Sequence, residues 1–237
     1  MTRKWNSCLG AALVFVAGIA ACGKTEAPAP AAEKPAAEAP APATAPEQTA
    51  PAAEESTAGF KAPEEGPAFF VYKDLEDPSN HFIPAGHMGD VTAITVDPGS
   101  TTQPHSGTTC MKWTYDLAQK KDGWAGAYWQ DPENNWNGDV DGAGYNLKNA
   151  KTLKFWARGE NGGETLKFGF GGCNGKFGDT GKKEVPNIKL TKVWQEFEIP
   201  VADNMQRVVF GFMWAVDSKQ NTGQKVIFYL DDIRYEF

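Results

Sequence analysis

Aromatic rings, amides and carboxylates interleave through Gly123-Trp124-Ala125-Gly126-Ala127-Tyr128-Trp129-Gln130-Asp131-Pro132-Glu133-Asn134-Asn135-Trp136. That mixture suits sugar chemistry. A sugar presents CH faces ringed by hydroxyls, so a flat ring can bury the CH face while polar side chains take the hydroxyls. The small residues between the rings would leave ring faces accessible. The candidates are Trp124, Tyr128, Gln130 and Trp136, the last flanked by Asn135, Asn137 and Gly138 and so the most open. Trp156 and Arg158 lie opposite Leu153 and Phe155 in their segment, point away from a core, and could extend the platform. Tryptophan also fills cores. Trp113, sharing a face with Met111, Tyr115 and Leu117, is read as core, while Trp194 and Trp214 fit either role.

Catalysis leaves no comparable signature, and the chain is read as a non-enzyme. Glycoside cleavage needs two carboxylates roughly 5–10 Å apart across one cleft, and no segment carries the alternating acidic pattern E-x-D-x-x-E. A Gly-x-Ser-x-Gly elbow is absent. The three histidines, His81, His87 and His105, show no metal-ligand spacing, and the first two read as turn residues in a Pro/Gly-rich stretch. Asn137-Gly138-Asp139-Val140-Asp141-Gly142 looks like a calcium loop but lacks the closing Glu, so it reads as a turn.

These groups need a scaffold, and the pattern is mostly β. Residues 110–117, 152–158 and 165–170 alternate polar and apolar positions, with Leu153, Phe155 and Ala157 on one face and Leu166, Phe168 and Phe170 on another. Residues 194–201 place Gln195, Phe197, Ile199 and Val201 together. Residues 208–214 and 226–230 are apolar throughout, as central strands are. Gly/Asn/Asp turn signals separate these runs. The expected fold class is therefore all-β, a β-sandwich or jelly roll. Cys110 and Cys173 could pair in an oxidising compartment, a choice that spacing leaves open.

The ending Phe228-Tyr229-Leu230-Asp231-Asp232-Ile233-Arg234-Tyr235-Glu236 resembles the closing strand of jelly-roll carbohydrate-binding modules of the galactose-binding-like superfamily. Ala150-Lys151-Thr152-Leu153-Lys154-Phe155-Trp156-Ala157-Arg158-Gly159 and Trp194-Gln195-Glu196-Phe197-Glu198-Ile199 are similar to other strands of those modules, in the expected order. The segment His81-Phe82-Ile83-Pro84-Ala85-Gly86-His87-Met88-Gly89-Asp90 departs from the pattern. The resemblance implies non-catalytic binding of a polysaccharide or glycoconjugate. It also implies a structural calcium ion tying first strand to last, with Asp231 at the matching position and Asp74 and Glu76 as candidates for the other end. The alternative is a structural or protein-interaction role with the tryptophans entirely in the core.

The start of the chain points to export. Arg3 and Lys4 precede a short run from Leu9 to Ala21, too short for a membrane span of roughly 20 apolar residues. Ile19-Ala20-Ala21-Cys22 resembles a bacterial lipobox, which implies a signal peptide over residues 1–21 and lipid on Cys22; an ordinary signal peptide is the alternative. Gly23 after that cysteine resembles the outer-membrane sorting pattern, so the expectation is an envelope lipoprotein held to the membrane through its lipid, with the outer membrane favoured. Residues 22–66 are rich in Ala, Pro and Glu and are expected to be a disordered, extended linker. At about 3.1 Å per residue it could reach on the order of 100 Å. A fixed length requirement and a generic spacer remain equally open. Residues 67–237, about 170 in number, form one domain with a real core. The formal charge of −7 and the lack of a basic cluster argue against a nucleic-acid partner.

Overall fold

Alternating burial along the chain organises eleven strands into two antiparallel sheets in the computed structural model, which describes residues 59–201 and 204–237. The six-stranded sheet contains β3 (Ile94–Ser100), β4 (Cys110–Asp116), β11 (Lys225–Glu236), β6 (Thr152–Gly159) and β9 (Gln195–Pro200) in that order, with β1 (Ala68–Tyr72) also pairing with β11. The five-stranded sheet runs β2 (Ile83–Gly89), β5 (Trp124–Gln130), β10 (Phe210–Asp217), β7 (Thr165–Phe170) and β8 (Lys183–Lys189). This is the expected β-sandwich. The signal peptide, Cys22 and most of the linker lie outside the described residues.

The inward face of each strand supplies the core. Trp113 of β4 meets Trp214 of β10 at 5.0 Å and Trp129 of β5 at 5.4 Å between ring centroids. Phe212 then contacts Trp129 and Phe155, each at 5.1 Å. These tilted and edge contacts are the favoured geometry for aromatic pairs. The expected inward set of Leu153, Phe155 and Ala157, and that of Leu166, Phe168 and Phe170, are all buried. Trp214, which the sequence left between two roles, is core.

The strands at the ends of each sheet's order share one residue type. β2 contains Pro84, β3 Pro98, β8 Pro186 and β9 Pro200. Proline has no N–H to donate, so it is tolerated on a strand with one unpaired side and excluded from central ones. Residues 83–89 are accordingly an edge strand, so His87 is not the turn residue that the Pro and Gly content suggests, while His81 lies just before the strand. His87 points inward from β2 against Trp113, with ring centroids 5.8 Å apart, and burial holds its pKa below the ordinary value.

Two further expectations need correction. Cys110 and Cys173 are both free and buried: the Cys110 thiol lies 3.5 Å from the Ser100 carbonyl oxygen, that of Cys173 3.4 Å from the Asn135 carbonyl oxygen. Burial pushes both thiols up to about 12. The folded body also begins before Pro67. The Arg207 guanidinium donates to the Gly59 carbonyl and lies over the Phe60 ring, while Asn146 Nδ2 donates to the Lys61 carbonyl at 2.8 Å. Residues 59–66 are thereby packed on the sandwich rather than belonging to a free linker.

Because Trp113 fills the centre between the sheets, Trp113→Ala should lower unfolding free energy by about 3–5 kcal/mol. Urea denaturation followed by circular dichroism measures this.

Candidate functional site

The outward face of the five-stranded sheet carries the aromatic cluster. Direct register places Gly86, Tyr128, Met213, Gly169 and Glu184 side by side across β2, β5, β10, β7 and β8. The next row along the strands reads Met88, Gly126, Ala215 and Lys167. Trp124 and Asp217 face each other one row further on. Four residues separate Trp124 from Tyr128 along β5, which is roughly 13 Å. Between them the floor is made of small residues and methionine. A Cβ on Gly126 would come within 2.8 Å of the Trp214 carbonyl oxygen and 3.0 Å of Met88 Cε, so the floor stays low there only because that position is glycine.

Trp124 and Trp136 bracket this trough, at 40 % and 39 % exposure. Tyr128, at 9 %, lies beneath Trp136: its ring stacks obliquely on Phe210 at 4.4 Å and meets Trp136 edge-on at 6.2 Å. Burial raises the Tyr128 hydroxyl to about 12, so it stays a neutral donor and acceptor. The β7–β8 side is charged. Lys167 pairs with Glu184 at 3.0 Å, and Lys182 reaches the other carboxylate oxygen at 3.0 Å. Burial would raise the Glu184 carboxyl, but the two lysines outweigh it and hold it below its ordinary value. The result is a surface with apolar rings on one side and fixed hydrogen-bonding groups on the other. A cleft of about 250 Å³ opens at its Trp124 end, lined by Lys167, Pro186 and Asp217 among others.

Two aspartates hold the loops that present the tryptophans, and neither stood out in the sequence. The Asp90 carboxylate accepts the N–H groups of Lys121 (2.9 Å), Asp122 (2.7 Å) and Gly123 (3.0 Å) and the Tyr115 hydroxyl (2.6 Å). Its own N–H donates to the Trp124 carbonyl at 2.9 Å. Burial would raise its pKa, yet these donors bring it down to about 2. Gly89, at φ +67°, packs against the Trp124 ring, where a Cβ would lie 2.9 Å from Cδ2. Segment 81–90 thus seats Trp124. At the other end, Asp179 accepts from Val209 N (2.5 Å), Phe210 N (3.2 Å) and Cys173 N (2.6 Å). Cys173 in turn backs the Asn135–Trp136 backbone. Here burial outweighs the donors, and the carboxyl is pushed up to about 6.

The structure gathers Trp124, Tyr128 and Trp136 on one face and separates the other candidates from them. Gln130 is 0 % exposed, and its Oε1 accepts the Asn134 N–H at 2.8 Å, so it supports the Trp136 loop rather than facing a ligand. Trp156 and Arg158 do point outward, but from the six-stranded sheet, where residues 101–109 fold over them. His105 stacks on Trp156 at 3.7 Å with 14° between the rings. Arg158, at 5 % exposure, lies over Tyr229 at 3.7 Å and donates to the Thr102 carbonyl at 2.8 Å. Trp194 joins the same packing by donating Nε1–H to the Gln103 carbonyl. Trp156 and Arg158 are anchors for this loop and do not extend the platform.

The family 30 model of carbohydrate binding domains matches residues 77–237, more than half of the chain. The chain belongs to the carbohydrate binding domain 30 family. Among solved structures, this module is similar to a family 30 carbohydrate-binding module at 16 % identity and TM-score 0.46, over 71 % of this chain and 87 % of that one. It is also similar to the family 30 module of a cellulosomal cellulase from Clostridium thermocellum (16 % identity, TM-score 0.47, 71 % and 96 % covered). A family 11 module from the same organism, in complex with a β-1,3-1,4-mixed-linked tetrasaccharide, aligns at 12 % identity and TM-score 0.44, over 73 % and 97 %. No curated protein matches the chain.

The residues expected to hold calcium do not fit one in this module. The Asp74 carboxylate accepts the Leu75 and Thr108 N–H groups and the Thr108 and Thr109 hydroxyls. The Asp231 carboxylate accepts from His105, Ser106 and Asp232 N–H groups, and burial followed by the neighbouring Asp232 charge raises it to about 6. Donors facing these oxygens leave little room for the several oxygen ligands that Ca²⁺ requires. Glu76 is exposed. Among the described residues no group of three or more His, Cys, Asp or Glu is placed to hold a metal. Both aspartates instead tie the 105–109 stretch to the sandwich.

Two measurements follow. Addition of EDTA should leave the thermal unfolding midpoint unchanged. The Asp90 carboxyl is depressed from 3.8 to about 2 in the folded state, so its contribution to stability is present above pH 3.8 and lost as pH falls towards 2. Asp90→Asn should flatten stability against pH across that window in acid titrations followed by fluorescence.

Proposed function

We propose that this protein binds a polysaccharide without cleaving it, by laying the chain along the trough between Trp124 and Trp136. Membership in a carbohydrate binding domain family supports sugar binding, and the observation that carries the trough reading is the pairing of two exposed indoles with a low floor of Gly126, Ala215 and Met88. Ring faces bury sugar CH groups, while Lys167, Glu184 and Asp217 meet hydroxyls along the other side. A polymer with many identical faces suits such an open groove better than a small metabolite, which needs enclosure on most sides. The proposal includes attachment to the bacterial envelope by lipid on Cys22, with the Ala/Pro-rich segment as spacer.

Trp124→Ala and Trp136→Ala should each weaken binding about 10- to 30-fold, as removal of an exposed aromatic anchor does, with the melting midpoint unchanged. A glycan array followed by calorimetry on the retained sugar provides the readout. Full affinity in both variants would overturn the trough. Cys22→Ser should move the protein from the membrane to the soluble fraction, and continued membrane retention would remove the lipid anchor from the proposal.

A further inference from the structure

The outward face of the five-stranded sheet continues past Trp124. One step beyond the Val216–Leu166 pair, Thr165 of β7 faces Lys189 of β8. At this end of the sandwich lies a cavity of about 520 Å³, lined by this pair, by the turns at residues 161–164 and 220–222, and by Lys225 and Val226 at the start of β11 in the other sheet. Its size is that of a small-molecule site. Gln220 lines both this cavity and the cleft beside Trp124, and its Nε2 donates to Asn187 Oδ1 at 2.8 Å. The two spaces therefore adjoin at Gln220.

The charge of the cavity is one-sided. Glu164 contributes the only carboxylate of its lining, and that group is turned away: Oε1 accepts the Asn161 N–H at 2.7 Å, and Oε2 is sealed where a Cβ on Gly159 would fall. Lys189 and Lys225 are exposed, and among the described residues neither forms an ion pair. Lys189 lies along Gly163, where a Cβ would sit 3.7 Å from its Cε, so the absence of a side chain at Gly163 leaves its stem a path over the opening. A neighbouring depression of about 400 Å³ shares Lys189 and adds Lys192. Asp116 stands opposite Lys225 in the sheet register but makes no ion pair with it, and polar walls with two ammonium groups at the opening suit an anion.

We infer that this cavity is a subsite for an anionic substituent, a carboxylate or a sulfate ester, carried by the glycan in the trough. The inference rests on the trough reading. It also runs against the charge of the whole chain, −7, which repels polyanions at long range. At physiological salt that repulsion is screened within about 8 Å, so a preference for acidic glycans has to arise from direct contact.

The test is affinity gel electrophoresis of the full chain at physiological salt in two polymer series. One contains hydroxyethyl-cellulose, carboxymethyl-cellulose and cellulose sulfate. The other contains neutral galactan, polygalacturonate and carrageenan. In at least one series a charged member should retain the protein about 5-fold more than its neutral counterpart. The double variant Lys189→Ala/Lys225→Ala should lose that excess while keeping neutral retention and the melting midpoint. Which charged member is retained identifies carboxylate or sulfate as the substituent. Equal retention of neutral and charged members, or an excess that survives in the double variant, overturns the inference and leaves the trough standing. Retention by no polymer in either series overturns both.

Discussion

Carboxylates that gather backbone N–H groups hold the working parts of this molecule in place. A sandwich of two sheets satisfies its own strands, but the loops at its ends carry donors with no ladder to join. Asp90 takes three such N–H groups beside Trp124, and Asp179 takes three near the Trp136 loop. Asp74 and Asp231 do the same for the stretch that covers Trp156. Hydrogen bonds to a charged acceptor contribute about 1.5–3 kcal/mol each, roughly twice a neutral one. Burial opposes them, and the balance differs from site to site. Donors win at Asp90, which sits at about 2, and burial wins at Asp179 and Asp231, both at about 6.

With the loops fixed, the two faces of β5 perform opposite tasks. Inward it supplies Ala125, Ala127 and Trp129 to a core crowded with three indoles, and outward it supplies Trp124, Gly126 and Tyr128 to the trough. The period of two in a strand makes this division automatic, since shifting the register by one residue would exchange the two sets. The trough is therefore as rigid as the core behind it. The proposed binding would then cost little ordering of the protein.

Sequence periodicity located the strands that bury one full face, including β4, β6, β7 and most of β10 and β11. It passed over β1, β2, β3, β5 and β8; in β2, β3 and β8 proline, glycine and lysine interrupt the alternation, and in β5 the run of Ala and Gly between rings hides it. Of these, β2, β3 and β8 are edge strands, where a proline N–H is not missed and burial is incomplete. That Trp124, Tyr128 and Trp136 share one face was legible because the spacing of rings and small residues is local. Trp156 and Arg158 were correctly assigned to an outward face, but the pattern of one strand contains no information about a loop fifty residues away that lies over it. Asp90 and Asp179 were invisible for the same reason: an aspartate near glycines looks like a turn until the donors around it are known. Lys167 could have been found, because it alternates with Leu166 and Phe168 and so must face outward.

The four prolines at the sheet borders also bear on crowding. Many copies gathered along one long polymer bring their flanks into contact at high local concentration, the condition under which open β-edges template one another into fibrils. A border strand that interrupts its own row of donors cannot accept a full-length neighbour. Pro84, Pro98, Pro186 and Pro200 thus interrupt the donor rows at all four borders, which would keep copies bound side by side on the proposed polymer from pairing edge to edge.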